Sequence, residues 1–249
     1  MTDIAAPEKR THAISYGDRR LQFRWRPRDK NGVRARIHVY PNGLVEVETP
    51  HGATLDEAKT ALLKRARWVT RHLDEIEQRH ADVLKREYVS GETVFYLGRR
   101  YTLKVIPSDD EQHVKMLRGQ VRVTTCEAAG PVVKAKLARW YRDRAAHVFA
   151  RRLRAISDRL PWVEESPAWT IREMRTRWGS CSPAGTIILN PHLVKTSTRC
   201  IDYVILHELC HLEEHNHSER FYHLLKRTMP DWEQIKMQLD AMSELYLNE

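Results

Sequence analysis

The pattern of apolar and polar positions predicts β-strands in the first fifty residues. Segment 21–28 alternates apolar and polar side chains, which is typical of a half-buried strand. Segments 35–40 and 44–49 alternate in the same way, and the Pro-Asn-Gly sequence at 41–43 between them favours a tight turn. We therefore predict a β-hairpin there. The residues before about position 15 show no such pattern, and we expect them to be flexible.

Three longer segments carry apolar residues at helical spacing. Thr54 and Glu57 have the spacing of a capping box, which predicts a long helix from about Leu55 to His80. A second long helix is predicted from Pro131 to about Leu160, with apolar residues on one side and many Lys and Arg on the other. The third, strongly apolar helix covers 201–212.

Further strands are predicted between these helices. Segment 88–125 contains strand-like stretches with turns at Gly98 and Gly119. Another hairpin is expected between residues 170 and 190, directly before the third helix, with its turn at 183–185. No internal repeat is visible.

The order of these elements predicts an α+β protein in three parts. They are a flexible N-terminus at 1–14, an antiparallel β-rich part with one long helix at 15–129, and a C-terminal domain at 130–249. A chain of 249 residues is long enough for two small domains.

Composition restricts the class of protein. Apolar residues make up 41% and charged residues 30%, which is ordinary for a globular chain. The sequence shows no apolar run long enough to span a bilayer and no apolar signal region, so we expect a cytoplasmic protein without a membrane partner. Four cysteines without a Cys-x-x-Cys pair indicate free thiols. The net charge of +9 favours acidic partners, nucleic acid first, although the Arg residues are spread over the whole chain.

The third predicted helix carries the sequence His-Glu-x-x-His at His207, Glu208 and His211. Residues four apart share one face of a helix, so two imidazoles can bind one metal ion there, and zinc suits them best. Glu208 lies beside them, where its carboxylate can activate a zinc-bound water as general base. Because this short motif also occurs by chance, its apolar helical surroundings and a third ligand are needed to support the assignment.

A catalytic zinc takes three protein ligands and keeps one open position. His217 is the best candidate for the third ligand, because the helical pattern ends before it and six residues after His211 let the chain fold back. His215 is the rival, but it leaves less chain for the reversal. We predict one zinc ion bound by His207, His211 and His217.

With these residues in view, the chain resembles the YgjP-like metallopeptidase family. The likeness is carried by RWGSCS at 177–182, ILN at 188–190, and IDYVILHELCHL followed by NHSERF within 201–221. It is close over about 169–232 and extends more weakly to the N-terminal hairpin, its helix and YLGRRYTL. More distantly, a hairpin followed by a helix with this motif resembles the SprT/Spartan proteases, which cleave proteins crosslinked to DNA.

The resemblance implies a zincin-like minimal metallopeptidase domain over 130–249. It implies the same metal ligands and general base as the spacing does. Metzincins share this ligand spacing, but they have Gly where this chain has Glu214, and no Met-turn is evident, so we set them aside.

Taken together, these features predict a zinc-dependent hydrolase that acts on peptides or proteins. The strand 174–181 would form one wall of the cleft. We expect substrate-binding residues at Arg177, Trp178, Gly179 and Ser180. Gly179 would permit close backbone approach, and Arg177 would bind a carboxylate or the developing oxyanion. The alternative for Arg177 and Trp178 is structural support of the zinc helix.

Two other functions stay open at this point. One is a metal-dependent nucleotide phosphohydrolase of the pyrophosphatase type, since the excess of Arg suits phosphates. The other is a nucleic-acid-associated protease, with the Arg-bearing N-terminal sheet as the binding surface.

Overall fold

The computed structural model describes residues 11–28, 34–40, 43–82 and 86–247. The chain divides into two units, Met1–Leu84 and Lys85–Glu249. Where the structure is described, every helix is too short or too polar to span a bilayer. The cytoplasmic location stays a prediction.

The first unit contains a four-stranded sheet. Its strands are β1 Thr11–Tyr16, β2 Arg19–Pro27, β3 Arg36–Val39 and β4 Val45–Thr49. They lie in the order β1-β2-β4-β3, with β2 parallel to β4 and both outer pairs antiparallel. The predicted hairpin is confirmed as β3 and β4, while Pro41 and Asn42 of its turn lie outside the described residues.

The expected flexible N-terminus is only partly covered. Residues 1–10 lie outside the described part of the chain, whereas residues 11–14 belong to β1 and pair with β2. This correction has a simple cause, because β1 is an edge strand whose polar side chains show little alternation.

Two helices cover the inner face of this sheet. The capping box of Thr54 and Glu57 is present, but the predicted single helix is two, α1 Leu55–Lys64 and α2 Ala66–Asp82. The chain leaves helical geometry at Arg65, whose N–H donates to the carbonyl of Leu62 at 3.0 Å. The side chains buried between sheet and helices include Leu21, Phe23, Val45, Val47, Leu62 and Val69.

The second unit begins with a sheet of the same arrangement. Its strands are β5 Thr93–Tyr96, β6 Arg99–Pro107, β7 His113–Leu117 and β8 Gln120–Thr125, in the order β5-β6-β8-β7. Again the middle pair is parallel and the outer pairs are antiparallel. Leu97–Gly98 and Arg118–Gly119 form the predicted turns, all four residues with positive φ. The two sheets therefore repeat one topology.

This sheet shares a core with the following helix, α3 Gly130–Ser157. Val94, Leu103 and Val121 of the sheet belong to one buried cluster with Val133 and Leu137 of α3. The compact unit consequently starts at Lys85 and not at 130, where the sequence analysis placed a domain boundary. The predicted boundary would separate a helix from the strands that bury its apolar side.

A small three-stranded sheet follows α3. It consists of β9 Trp169–Ile171, β10 Gly179–Cys181 and β11 Ile187–Leu189, in the order β10-β11-β9. The expected hairpin exists, but it is formed by β10 and β11, and β9 pairs parallel with β11. The segment between β9 and β10 is therefore a loop, and β10 is an edge strand.

The chain ends in helices. A 3₁₀ helix at Pro191–Lys195 leads into α4 Thr198–Glu213, α5 Glu219–Thr228 and α6 Trp232–Leu247. Arg152 of α3 donates two hydrogen bonds of 2.6 Å to the carboxylate of Asp202, which fixes α4 against the long helix. The predicted α+β class is confirmed.

Candidate metal centre

Helix α4 carries the His-Glu-x-x-His sequence within a largely apolar stretch. Ser197 caps its N-terminus by accepting a hydrogen bond from the amide of Cys200 at 3.3 Å. The side chains around the motif are buried, among them Val204, Ile205 and Leu209. Because the apolar positions hold the helix in the core, His207 and His211 are presented together on one side.

The chain reverses directly after this helix. At Glu214 the backbone becomes extended, with φ −124° and ψ 100°, and Ser218 then caps α5. His217 precedes that cap and lies against the first two histidines. Potential ligand atoms of His207, His211 and His217 all lie within 4.8 Å of one another, whereas the exposed His215 is not part of this group.

The chemistry of this group fits a metal ion. Nε2 of His207 and Nε2 of His217 are 3.0 Å apart, so two ring nitrogens converge on one point. Nδ1 of His211 is 3.1 Å from the carbonyl oxygen of Glu214, which leaves its Nε2 for another partner. Burial, and then the neighbouring histidines, lower the pKa of His207 to about 3. The neutral imidazole is the form that binds metals.

Phe221 supports all three rings. It is fully buried at the start of α5, and its ring centroid lies 4.7 to 4.9 Å from those of the three histidines. The sequence analysis gave Phe221 no role in the site. Its position could have indicated such a role. Phe221 follows the helix cap Ser218 by three residues, and a side chain in the first turn of a helix faces the loop that precedes it.

Glu208 is the buried acid of the site, with only 6% of its surface exposed. Burial raises the pKa of Glu208 to about 8, although the charge of Arg177 and a hydrogen bond from the backbone N–H of Cys181 act in the opposite direction. The carboxylate lies against strand β10, and its residue directly follows His207 on α4. Such a strongly shifted group beside a ligand cluster is typical of an acid–base residue.

Strand β10 presents its free edge to this carboxylate. Asn190 N–H donates to the carbonyl of Trp178 at 2.8 Å, and Ser182 N–H donates to Thr186 at 2.9 Å, so these residues bond to β11. In an antiparallel pair the intervening residues direct their N–H and C=O groups away from the partner. The backbone of Gly179 and Cys181 therefore faces away from β11.

The predicted substrate-binding residues separate into two groups. Arg177 is exposed, Gly179 contacts Glu208, and Ser180 is half-buried on β10 opposite Ile188. The ring of Trp178 is buried, and its Nε1–H donates to Ser243 of α6 at 3.0 Å. Trp178 thus supports β10 from the core, which agrees with the structural alternative for this residue.

Asn190 holds the loop before β10. Its side-chain amide donates to the carbonyls of Met174 at 2.6 Å and Arg177 at 3.0 Å, and its side-chain oxygen accepts from the amide of His192 at 3.1 Å. It is fully buried, so these bonds are formed away from water. The sequence analysis noted Asn190 only within a matched segment, because its partners lie 13 and 16 residues away.

An aromatic stack lies beside the histidines. The rings of Tyr222 and Trp232 are 5.4 Å apart, Trp232 faces Tyr203 at 6.5 Å, and Tyr203 meets the ring of His207 at 5.9 Å. Next to this stack is an open cavity of about 440 Å³. It is lined by Glu219, Tyr222, His223, Lys226, Trp232 and Glu233.

Comparison with known proteins adds a family match. The family model described as YgjP-like, metallopeptidase domain matches residues 33–242. No curated protein matches the chain.

Two solved structures are similar to part of the chain. The metallopeptidase zymogen jannalysin of Methanocaldococcus jannaschii is 23% identical, with a TM-score of 0.31 over 38% of this chain and 92% of that one. The metallopeptidase zymogen abylysin of Pyrococcus abyssi is 19% identical, with a TM-score of 0.30 over 43% of this chain and 94% of that one. Likenesses this remote add nothing to the assignment.

Proposed function

Because the chain belongs to the YgjP-like family of metallopeptidase domains, we propose that it is a zinc-dependent peptidase with Glu208 as its general base. The observation that carries this proposal is a buried carboxylate that directly follows His207 on α4 and packs against strand β10, on the helix whose histidines converge with His217. A metallopeptidase needs a metal site, a base and a place for an extended chain. The residues of α4, of strand β10 and of the loop after α4 support all three requirements.

The ligand group found among the described residues consists of three imidazoles, which favours zinc over the harder cations that prefer oxygen ligands. When bound, zinc would polarise the scissile carbonyl and make a water acidic enough to attack at neutral pH. Histidines at 207, 211 and 217 would hold it. The ring of Phe221 and the Glu214 carbonyl would orient these ligands.

Glu208 would accept the proton of the attacking water and deliver it to the leaving amine. Its buried position disfavours the carboxylate, and Arg177 counteracts this by favouring the charged form. The same exposed guanidinium is suited to a substrate carboxylate or a developing oxyanion. Arg177 would therefore favour the ionised form of Glu208 even when no substrate is bound.

The substrate would lie along the outer edge of β10. The N–H of Cys181 is bonded to Glu208, and the other backbone groups of Gly179 and Cys181 that face away from β11 can hydrogen-bond to an extended peptide. Gly179 keeps this edge close to Glu208, since no side chain separates them. The cavity beside Tyr222 and Trp232 offers an apolar floor with charged walls for one substrate side chain.

The experiment combines metal analysis with a hydrolysis screen of peptides, unfolded proteins and nucleoside triphosphates. We expect about one zinc per chain and peptide cleavage that disappears in Glu208→Gln while the zinc remains. Glu213→Gln, at an exposed position of the same helix, is the control for a change that leaves the base untouched. Cleavage of no peptide, together with Glu208-dependent release of pyrophosphate, would contradict the peptidase and favour the nucleotide phosphohydrolase.

A further inference from the structure

The two four-stranded sheets share one topology but differ in the charge of their outer faces. In the first sheet, Glu46 lies opposite Arg24 on one side and His38 on the other. Glu48 in the same way lies between Arg26 and Arg36. Every acidic position of that face is thus flanked by basic side chains, and the positive charge of its arginines is offset across the strands.

The outer face of the second sheet has no such alternation. Lys104 of β6 pairs with Arg122 of β8, and Arg122 pairs with Lys115 of β7. The neighbouring inward positions Leu103, Val121 and Val123 are fully buried, so the three cations lie on the opposite, outward face. They form one row across three adjacent strands, which we call the cation row.

No carboxylate occupies the paired positions next to the cation row. One flanking row consists of Thr102, Gln120 and Leu117, and the other of Ile106, Thr124 and His113. Glu111 lies in the loop before β7, and its carboxylate is 3.3 Å from the ring of His113. It therefore contacts the edge of this face and not the cation row.

Like charges directly opposite each other on paired strands are unfavourable. Adjacent strands are only about 4.8 Å apart, so three cations in one row repel one another unless an anion neutralises them. Arg122 is also oriented, because its Nε–H donates to Gln120 at 2.9 Å, while Lys104 and Lys115 are exposed. The row is therefore an accessible concentration of positive charge in which Arg122 has a fixed orientation.

We propose that the cation row binds the phosphate backbone of nucleic acid. The polar side chains beside it include Thr102 and Gln120, whose hydroxyl and amide groups can serve as donors to phosphate oxygens alongside Lys and Arg. The face is a sheet surface and not an apolar groove, so it lacks the pockets that bind side chains of an acidic peptide. Contacts of this kind bind without base specificity.

This proposal moves the expected nucleic-acid surface from the first sheet to the second. The arginines of the first sheet are more numerous, but the register places three of them, Arg24, Arg26 and Arg36, beside Glu46 and Glu48. The cation row lies in the same unit as the metal centre, yet it shares no residue with it. Binding by the row is therefore independent of the proposed peptidase activity.

The test is binding of fluorescent duplex DNA, single-stranded DNA and RNA to the full chain over a range of salt concentrations. The variant is the triple change Lys104→Gln, Lys115→Gln and Arg122→Gln. The matched control is Arg20→Gln, Arg26→Gln and Arg36→Gln, which removes the same charge from exposed positions of the first sheet. Both proteins are compared with the wild type by circular dichroism and thermal unfolding.

We expect the wild type to bind nucleic acid and the cation-row variant to lose at least tenfold in affinity. For duplex DNA the slope of log K against log salt should decrease by about 2 to 3, as for the loss of three phosphate contacts. The control should keep most of the affinity. The cation-row variant should also unfold at an unchanged or higher temperature at low salt, because repulsion within the row is removed.

Equal losses in the variant and the control would overturn the proposal, because binding would then follow net charge alone. Tighter binding of polyglutamate than of any nucleic acid would also overturn it and indicate an acidic protein partner. If the triple variant fails to fold, Lys115→Glu alone serves the same purpose, since its side chain is exposed. Unchanged affinity of Lys115→Glu for nucleic acid would contradict the proposed role of the cation row.

Discussion

A methyl group on the α-carbon of Gly179 would lie 2.7 Å from Oε1 and 2.9 Å from Cγ of Glu208. Real Cβ contacts essentially never come this close, and Val204 blocks an alternative path at 3.0 Å. Gly179 has no positive φ, so the requirement for glycine is one of space and not of backbone conformation. The position of the buried acid thus depends on the missing side chain of the facing strand.

Replacement of this glycine tests the relationship. We expect Gly179→Ala to displace the Glu208 carboxylate and reduce peptide hydrolysis by about 10²-fold, which is typical for a reacting group misplaced by about 1 Å. Zinc content and the circular dichroism spectrum should stay close to wild type. Hydrolysis is measured beside the control Ala184→Gly, a change of equally small size at an exposed position in the turn of the same hairpin. Full hydrolytic activity of Gly179→Ala would contradict this prediction, because Glu208 would then tolerate the added methyl group without loss of function.

A second prediction concerns the third ligand. We expect His217→Ala to lose bound zinc, because its Nε2 converges with that of His207, whereas His215→Ala should retain it. The measurement is zinc per chain after dialysis against a weak chelator. A His215→Ala protein without zinc, beside a fully loaded His217→Ala protein, would reverse the assignment of the two histidines.

The pKa of Glu208 predicts how the metal-free protein responds to pH. Burial raises it from 4.5 to about 8, so between these values the folded state holds a proton that the unfolded state has released. The contribution of Glu208 to the stability of the metal-free wild type should therefore fall as pH rises through this window. The lowered pKa of His207 acts in the opposite direction below about pH 6.5, so a comparison with a Glu208 variant is needed to isolate the acid. The Glu208→Gln side chain does not titrate. Its free energy of unfolding should therefore increase relative to that of the wild type, by on the order of a few kcal/mol at pH 8.

Urea unfolding of both chelated proteins at pH 5, 6.5 and 8 measures this difference. The amide also keeps an oxygen that can accept the N–H of Cys181, so the variant should fold normally. A constant difference in unfolding free energy across the three pH values would mean that Glu208 is ionised in the folded metal-free protein.

A fourth prediction concerns the extent of the catalytic unit. We expect a fragment of residues 85–249 to fold and bind zinc, whereas a fragment of 130–249 should not. Without β5–β8 the apolar side of α3 is exposed, and the turn at Gly98, whose α-carbon faces Ser197 at the cap of α4, is lost. Zinc content and circular dichroism of the two fragments decide the matter. A well-folded, zinc-loaded 130–249 fragment would make the second sheet a separable part.

Local features were accessible from the sequence. The capping box at Thr54 and the turns at Gly98 and Gly119 depend on residues a few positions apart. These predictions succeed because capping and turn geometry are properties of short segments. The choice of His217 over His215 followed from the length of chain needed for a reversal, and it stays a prediction.

The sequence was less informative wherever strands from distant segments meet. It indicated a hairpin before the zinc helix, but not that β9 joins β11 in parallel. It also gave no sign of the shared topology of the two sheets, because strand order leaves little trace in residue identity. The domain boundary at 130 followed from the start of a helix, whereas the actual unit is defined by the core that this helix shares with β5–β8.

By itself, then, the sequence determined the helices, the turns and the candidate ligands, because each of these arises from interactions within about one turn of chain. Only the tertiary structure decided which strand edge faces Glu208, why Gly179 must be glycine, and where positive charge is left unopposed. The physical reason is the register of paired strands. A shift of one residue would reverse the direction of every side chain on a strand, and cross-strand pairing alone determines whether Arg122 lies beside a glutamate or between two lysines.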